Sequence, residues 1–367
     1  MPPHWRPVTL LALAVVVAGI GLFVGAQYLA RGAPPALVVY GIRRLSTTSG
    51  SPVSVELPSG RILGQFVGSG GRGGSLAISP DGSRGYFFDS QQLHELALPG
   101  LQLQRSTPAP DGITSLGYAR VVAVAPDSTE VYLETVNRPG DPTSERGIAV
   151  YDVAQGMFVR QIRLAPPAWG AAACVGELYA LSQHRLAMLC GSDHVVRMDV
   201  ASGDQHPATV PVNGGNAILS ADRRHLYVVS GAGQIEDVDL DQMVVARSAS
   251  LTPDVECPRC VPFQPLHLST DGQRLTLVAA PGPAEVGAAV NGTVVWIVDL
   301  SSLTRVAEVP VGPHTADALL TPDGRGLLVS RIELDPRDEG ALRLIEVLSG
   351  WEVGRWPGSM FGLEIRT

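Results

Sequence analysis

His314 and Asp317 lie three positions apart in the segment Pro313-His314-Thr315-Ala316-Asp317. An imidazole and a carboxylate at such spacing have the makings of a shared acid/base or metal site. They belong to a wider set, because counting back from recurring turn tetrapeptides marks equivalent positions along the chain. One step back gives Ser75, Val121, Asn216, Pro265 and Asp317; a longer step gives Arg72, Tyr118, Asn213, Pro262 and His314. From these positions, with Trp169 and His267, the reading assembles a ligand site of Arg72, Tyr118, Trp169, Asn216, His267, His314 and Asp317 at the mouth of a channel. A few oriented polar groups beside an aromatic wall are the usual make-up of a ligand site. The plainer reading is a hydrated mouth with no ligand. No catalytic residue is assigned.

The four cysteines form two pairs. Cys257-Pro258-Arg259-Cys260 has the spacing of a redox motif or of half a zinc site. Zinc asks for four ligands and no second pair lies nearby, while a redox pair is expected to open a helix and here prolines and strands surround it. Cys174 and Cys190 flank a strand–turn–strand. Structural disulfides are expected for Cys174 with Cys190 and for Cys257 with Cys260, with no metal and no cofactor. The match Gly68-x-Gly70-x-x-Gly73 opens no helix and is read as a loop.

These residues need a frame, and internal repetition supplies it. Ser79-Pro80-Asp81-Gly82, Ala125-Pro126-Asp127-Ser128, Ser220-Ala221-Asp222-Arg223, Ser269-Thr270-Asp271-Gly272 and Thr321-Pro322-Asp323-Gly324 recur, with Ser182-Gln183-His184-Arg185 as a degenerate copy. The interval is roughly 40–60 residues, about the length of a four-stranded blade. A second column ends strands in an acid: Glu56, Glu95, Asp152, Asp199, Asp239, Asp299 and Glu346. Spread over the repeats, these acids cannot converge on a metal and are read as turn caps. The unit becomes strand, PDG-type turn, strand, loop, strand, acid-aliphatic turn, strand, which is a propeller blade. The expected fold is all-β, a seven-bladed β-propeller of four-stranded blades over residues 36–367. Its split blade joins the C-terminal segment FGLEIRT to strands within residues 36–67.

Residues 8–30 read VTLLALAVVVAGIGLFVGAQYLA without a charge, about the ~20 apolar residues that a bilayer-spanning helix needs. They are expected to form a single transmembrane anchor after a flank of residues 1–7 and before a linker of residues 31–35, with a cleaved signal as the alternative. The propeller is placed on the extracytoplasmic side. With a formal net charge of −8 and no basic cluster, nucleic acid is not expected as a partner.

The segments SPDG, LYVVS and VVWIVDL, followed by a strand ending in Val-Gly, resemble the YVTN-type β-propeller repeat proteins of bacterial and archaeal cell surfaces. WD40 propellers are the competing resemblance, suggested by Gly191-Ser192-Asp193 before VVRMDV. The YVTN resemblance implies a surface binding or scaffold role, with lactone hydrolases and quinone-cofactor dehydrogenases as distant relatives of similar shape. Long loops at Asn137–Gly147, Pro281–Gly292, Asp335–Gly340 and Thr252–Val261 share one face in such a fold. The expected partners are therefore the membrane, through the N-terminal helix, and a protein or small-molecule ligand on that top face. The alternative is an extracytoplasmic hydrolase or oxidoreductase working at the channel mouth.

Overall fold

The computed structural model describes residues 36–44, 50–67, 75–89, 91–110, 122–136, 146–164, 177–182, 184–190, 193–201, 208–252, 262–279, 292–331, 341–358 and 360–366. The apolar segment 8–30 lies outside them. Among the described residues there is no helix, and none long and apolar enough to cross a membrane.

Every described element is a strand, and the strands form six antiparallel sheets. Sheet A holds Leu37–Arg44, Gly50–Leu57 and Arg61–Gln65, with the C-terminal Met360–Arg366 on its inner edge. Sheet B runs Ser75–Ile78, Arg84–Phe88, Gln92–Ala97 and Gln102–Pro108; sheet C runs Val122–Val124, Glu130–Val136, Arg146–Asp152 and Met157–Leu164. Sheet D follows with Leu178–Ser182, Arg185–Cys190, His194–Asp199 and Ala208–Pro211, and sheet E with Asn216–Leu219, His225–Val229, Gln234–Asp239 and Val244–Ser250. Sheet F has seven strands: Pro262–Leu268, Arg274–Ala279, Gly292–Asp299, Thr304–Leu320, Gly326–Arg331, Ala341–Glu346 and Glu352–Pro357.

Sheet F departs from the expected run of separate four-stranded blades. Its 17-residue strand Thr304–Leu320 pairs with Gly292–Asp299 mainly through its first half and with Gly326–Arg331 through its second. Between the halves, Gly312 and His314 both take left-handed backbone angles, φ 83° and 66°. The chain therefore bends there without losing its pairing, and two four-strand units merge into one sheet.

The sheets are buried on both faces, which explains why their second strands read as continuous apolar runs rather than alternations. In Arg84–Phe88, for example, Tyr86, Phe87 and Phe88 are all buried although successive side chains point to opposite faces. The core consists of clusters between neighbours. Phe87 and Tyr40 join B to A, Tyr86 and Val131 join B to C, and Tyr132 and Met188 join C to D. Leu189 and Val228 join D to E, and Val229 and Leu277 join E to F. Val295 and Val329 pack between the two halves of F. Leu342 and Leu328 of F meet Val39 and Leu363 of A, and the succession returns to its start. The closing strand pairs as expected, from Val38 with Arg366 to Arg43 with Met360.

Turn chemistry sets the register of each sheet. In the first turn of sheet B, the Asp81 carboxylate accepts from the Ser79 and Ser83 hydroxyls and from the Ser83 amide, and Gly82 supplies the left-handed residue. Sheets E and F repeat this with Asp222, Asp271 and Asp323. The degenerate copy in sheet D is a tight hairpin in which Ser182 pairs with Arg185 and His184 is left-handed. The acid-ended turns behave alike. The Gly60, Gly156, Met243 and Gly350 amides donate to the carbonyls of Glu56, Asp152, Asp239 and Glu346, each at 2.8 Å.

Antiparallel pairing puts both kinds of turn on one face, called here the turn face. The connections between sheets and those between second and third strands leave from the other, the loop face. The connections of nine residues or more are all on the loop face, after Gln65, Pro108, Val136, Leu164, Ser250, Ala279 and Arg331. The longest on the turn face is the eight-residue one between Asp199 and Ala208.

Candidate functional site

The innermost strands carry the described members of the expected site. Asn216 opens the inner strand of sheet E and is half-buried. His267 lies in the inner strand of the first half of F, and Asp317 in the inner part of the second half. Arg72, Tyr118 and Trp169 lie outside the described residues.

The structure brings His267 and Asp317 together. His267 Nε2 is 2.6 Å from Asp317 Oδ1, with the histidine side chain 5% exposed and the aspartate fully enclosed. The second carboxylate oxygen, Oδ2, accepts the Leu363 amide at 2.9 Å. Asp317 thus ties three inner strands: its own, that of His267, and the C-terminal strand that closes sheet A. A carboxylate with both oxygens engaged in this way is suited to bracing rather than to proton transfer at an open mouth. Thr276 Oγ1, donating to the Ala318 carbonyl at 3.0 Å, reinforces the same junction.

His314, expected beside Asp317, sits in the left-handed bend of the long strand and is half-buried. Its Nδ1 is enclosed without a hydrogen-bond partner. Left-handed backbone on a residue other than glycine is strained, and six turn residues, among them Leu101 and Met243, share it, so the angle alone does not set His314 apart. By its Nδ1, His314 is the described member of the set that keeps unused hydrogen-bonding capacity.

Cys190 is buried, 3% exposed, and disulfide-bonded. Cys174, Cys257 and Cys260 lie outside the described residues. Among the described residues no three His, Cys, Asp or Glu side chains gather in a metal-binding group.

Two further polar clusters were not singled out from sequence. In sheet B, buried His94 bridges Asp89 at 2.9 Å and Ser106 at 2.8 Å, while Asp89 also takes the Gln91 and Gln92 amides. An aspartate ending a strand just before a short connection was the available signal. Between sheets D and E, the Tyr179 hydroxyl donates to the Ala217 carbonyl at 2.6 Å and meets Glu177, a link no local pattern announces.

A cleft of about 740 Å³ opens on the turn face between sheets B and C, where Arg84, Glu95, Arg105, Glu130 and Asp152 line it. Its charges are partly spent internally. Arg84 pairs with Glu95 at 2.5 Å, and Glu130 accepts the Tyr132 hydroxyl at 2.6 Å. Burial, aided by the Glu95 charge, pushes the nearby Tyr86 phenol up to about 12. That hydroxyl stays protonated at neutral pH.

No protein-family model matches the chain. No curated protein matches it either. Among solved structures it is similar to "Dihydro-heme d1 dehydrogenase NirN in complex with DHE", with a TM-score of 0.56 and 17% identity over 89% of this chain and 74% of that one. Likeness at that identity speaks for architecture and not for activity. The chain is an all-β protein with a β-propeller-like arrangement of four-stranded sheets.

Proposed function

We propose that the protein is a membrane-anchored, extracytoplasmic seven-bladed β-propeller of the YVTN type that works as a binding or scaffold module through its loop face. The observation that carries this reading is the asymmetry between the two faces. The connections of nine residues or more all leave from the loop face, whereas the turn face carries mostly short capped turns, with the eight-residue connection from Asp199 to Ala208 as its exception. Variable loops on a rigid frame are where recognition usually sits. The count of seven is supported by the apolar cluster that packs the two halves of sheet F against each other as neighbouring sheets elsewhere pack. The anchor reading is supported by the uncharged stretch of residues 8–30.

Site-specific photocrosslinking in intact cells tests the reading. Crosslinkers at Arg72, Tyr118, Trp169 and His314 should give adducts with a partner or ligand, and crosslinkers at Asp81 and Asp271 should not. Adducts confined to the turn-face positions would overturn it.

A reaction at the same mouth is the second reading, and the unpartnered Nδ1 of strained His314 is the observation that favours it. It predicts turnover of a lactone or alcohol by the purified protein that is lost in His314→Ala.

A further inference from the structure

Leu348 and Trp351 are 95% and 75% exposed. Both belong to the turn between Ala341–Glu346 and Glu352–Pro357, on the turn face of sheet F. Equivalent turns carry Pro58, Pro99, Ala154, Asp241 and Ser301 at the position of Leu348, so the backbone has no need of leucine there. Two large apolar groups projecting from one short turn make an interaction surface.

The entry point of the chain shows what covers them. The first strand begins at Leu37, which pairs with Leu57 at the start of the Leu57–Gly60 turn, so the chain enters sheet A on the turn face. The apolar stretch ends at Ala30, and residues 31–36 reach at most about 20 Å when fully extended. A bilayer holding residues 8–30 therefore lies against the turn face. Leu348 and Trp351 stand on that face in the half of sheet F whose Leu319, Leu328 and Leu342 share a cluster with Leu37 and Leu57 of sheet A. Trp356 Nε1 donates to the Pro58 carbonyl across the same junction.

We infer that Leu348 and Trp351 dip into the headgroup–acyl boundary of the membrane that holds the chain's own N-terminal segment. They form a second, shallow foothold that turns the loop face outward. The inference rests on the anchor reading above. Tryptophan suits that boundary because its ring is apolar and its N–H remains able to bond. Neighbouring charges are engaged within the protein: Glu346 accepts the Ser349 hydroxyl at 2.6 Å, and Glu352 is bridged by Arg343 at 2.5 Å and by Arg355 at 2.7 Å. Glu352 therefore brings no unpaired charge to the patch, while Glu346, held by a hydroxyl, has to stay on its water side.

The test uses the full chain in phosphatidylcholine vesicles whose acyl chains carry bromine near the headgroup, a contact quencher of tryptophan emission. Of the five tryptophans, Trp5 flanks the apolar stretch, Trp169 is assigned to the channel mouth on the opposite face, Trp296 is buried and Trp356 packs against sheet A. Trp351 and Trp5 are therefore the ones expected to meet lipid. Trp351→Phe should then lose roughly half of the bromine quenching, while flotation with the vesicles is unchanged. Flotation with equal quenching in both proteins would overturn the inference and leave the anchor reading standing. Absence of flotation would overturn both. A Trp351 shielded from aqueous acrylamide yet untouched by bromine would also overturn it, and would assign the patch to a second copy or a protein partner.

Discussion

Asp317 ties three of the inner strands together. It is enclosed, its two oxygens bind His267 and the Leu363 amide, and its removal leaves a buried imidazole and a buried N–H without their acceptor. Breaking such a buried pair costs about 3–5 kcal/mol. Asp317→Ala is expected to lose that much in urea unfolding, and adding His267→Ala should cost less than the two changes separately, because they share one interaction. A loss under about 1 kcal/mol would remove the brace from the account. Counting from the turns placed Asp317 in an inner strand, and His267 joined the expected site without that count. Their pairing was not legible, since the two lie fifty positions apart and only ring packing makes them neighbours. Proximity in sequence suggested His314 instead, but the bend at Gly312 and His314 gives that histidine a separate position.

At the scale of elements, the turns decide register, and their glycines are not equivalent. Gly60 and Gly350 occupy the same left-handed position, φ 71° and 69°. A Cβ at Gly350 would meet nothing, whereas one at Gly60 would stand 2.3 Å from Trp356 Cδ1. Gly350→Ala should therefore cost about 1 kcal/mol from backbone strain alone. Gly60→Ala should cost about 2–3 kcal/mol, because Trp356 must also move; paired thermal melts check the order. Leu101, Met243 and Leu303 hold the same conformation without glycine, so the glycine column in the sequence was incomplete. So was the acid column, because in sheet B Ala97 stands where Asp152 and Asp239 stand elsewhere and Glu95 lies two residues inside the strand.

The turn aspartates make a second prediction at this scale. The Ser79 and Ser83 hydroxyls hold the Asp81 carboxyl down to about 2, and the Ser220 and Ser269 hydroxyls lower Asp222 and Asp271 in the same direction. A carboxyl with a depressed folded pKa adds stability above its unfolded value near 3.9, and that contribution is lost as pH falls through the folded value. Melting temperature should thus drop between about pH 4 and pH 2. Asp81→Asn with Asp271→Asn should flatten that drop; an unchanged slope would contradict the role given to these caps.

For the whole molecule, the propeller-like arrangement was legible because the sequence repeats two kinds of turn signal, of which sheet A keeps only the acid-ended one. The closing strand was legible from the half-units left at the two ends. The merging of two units into sheet F was not, because a bend at Gly312 and His314 continues a strand where a loop is the usual break. The proposed anchor, the proposed binding role of the loop face and the proposed foothold at Leu348 and Trp351 together require one orientation. A cryo-electron microscopy map of the full chain in a lipid nanodisc tests it most directly. The account predicts a ring of seven four-stranded blades with its turn face against the bilayer, the turn at Leu348 touching lipid, and the loop face turned away. Six or eight blades, a ring detached from the disc, or the loop face pressed against the membrane would contradict it.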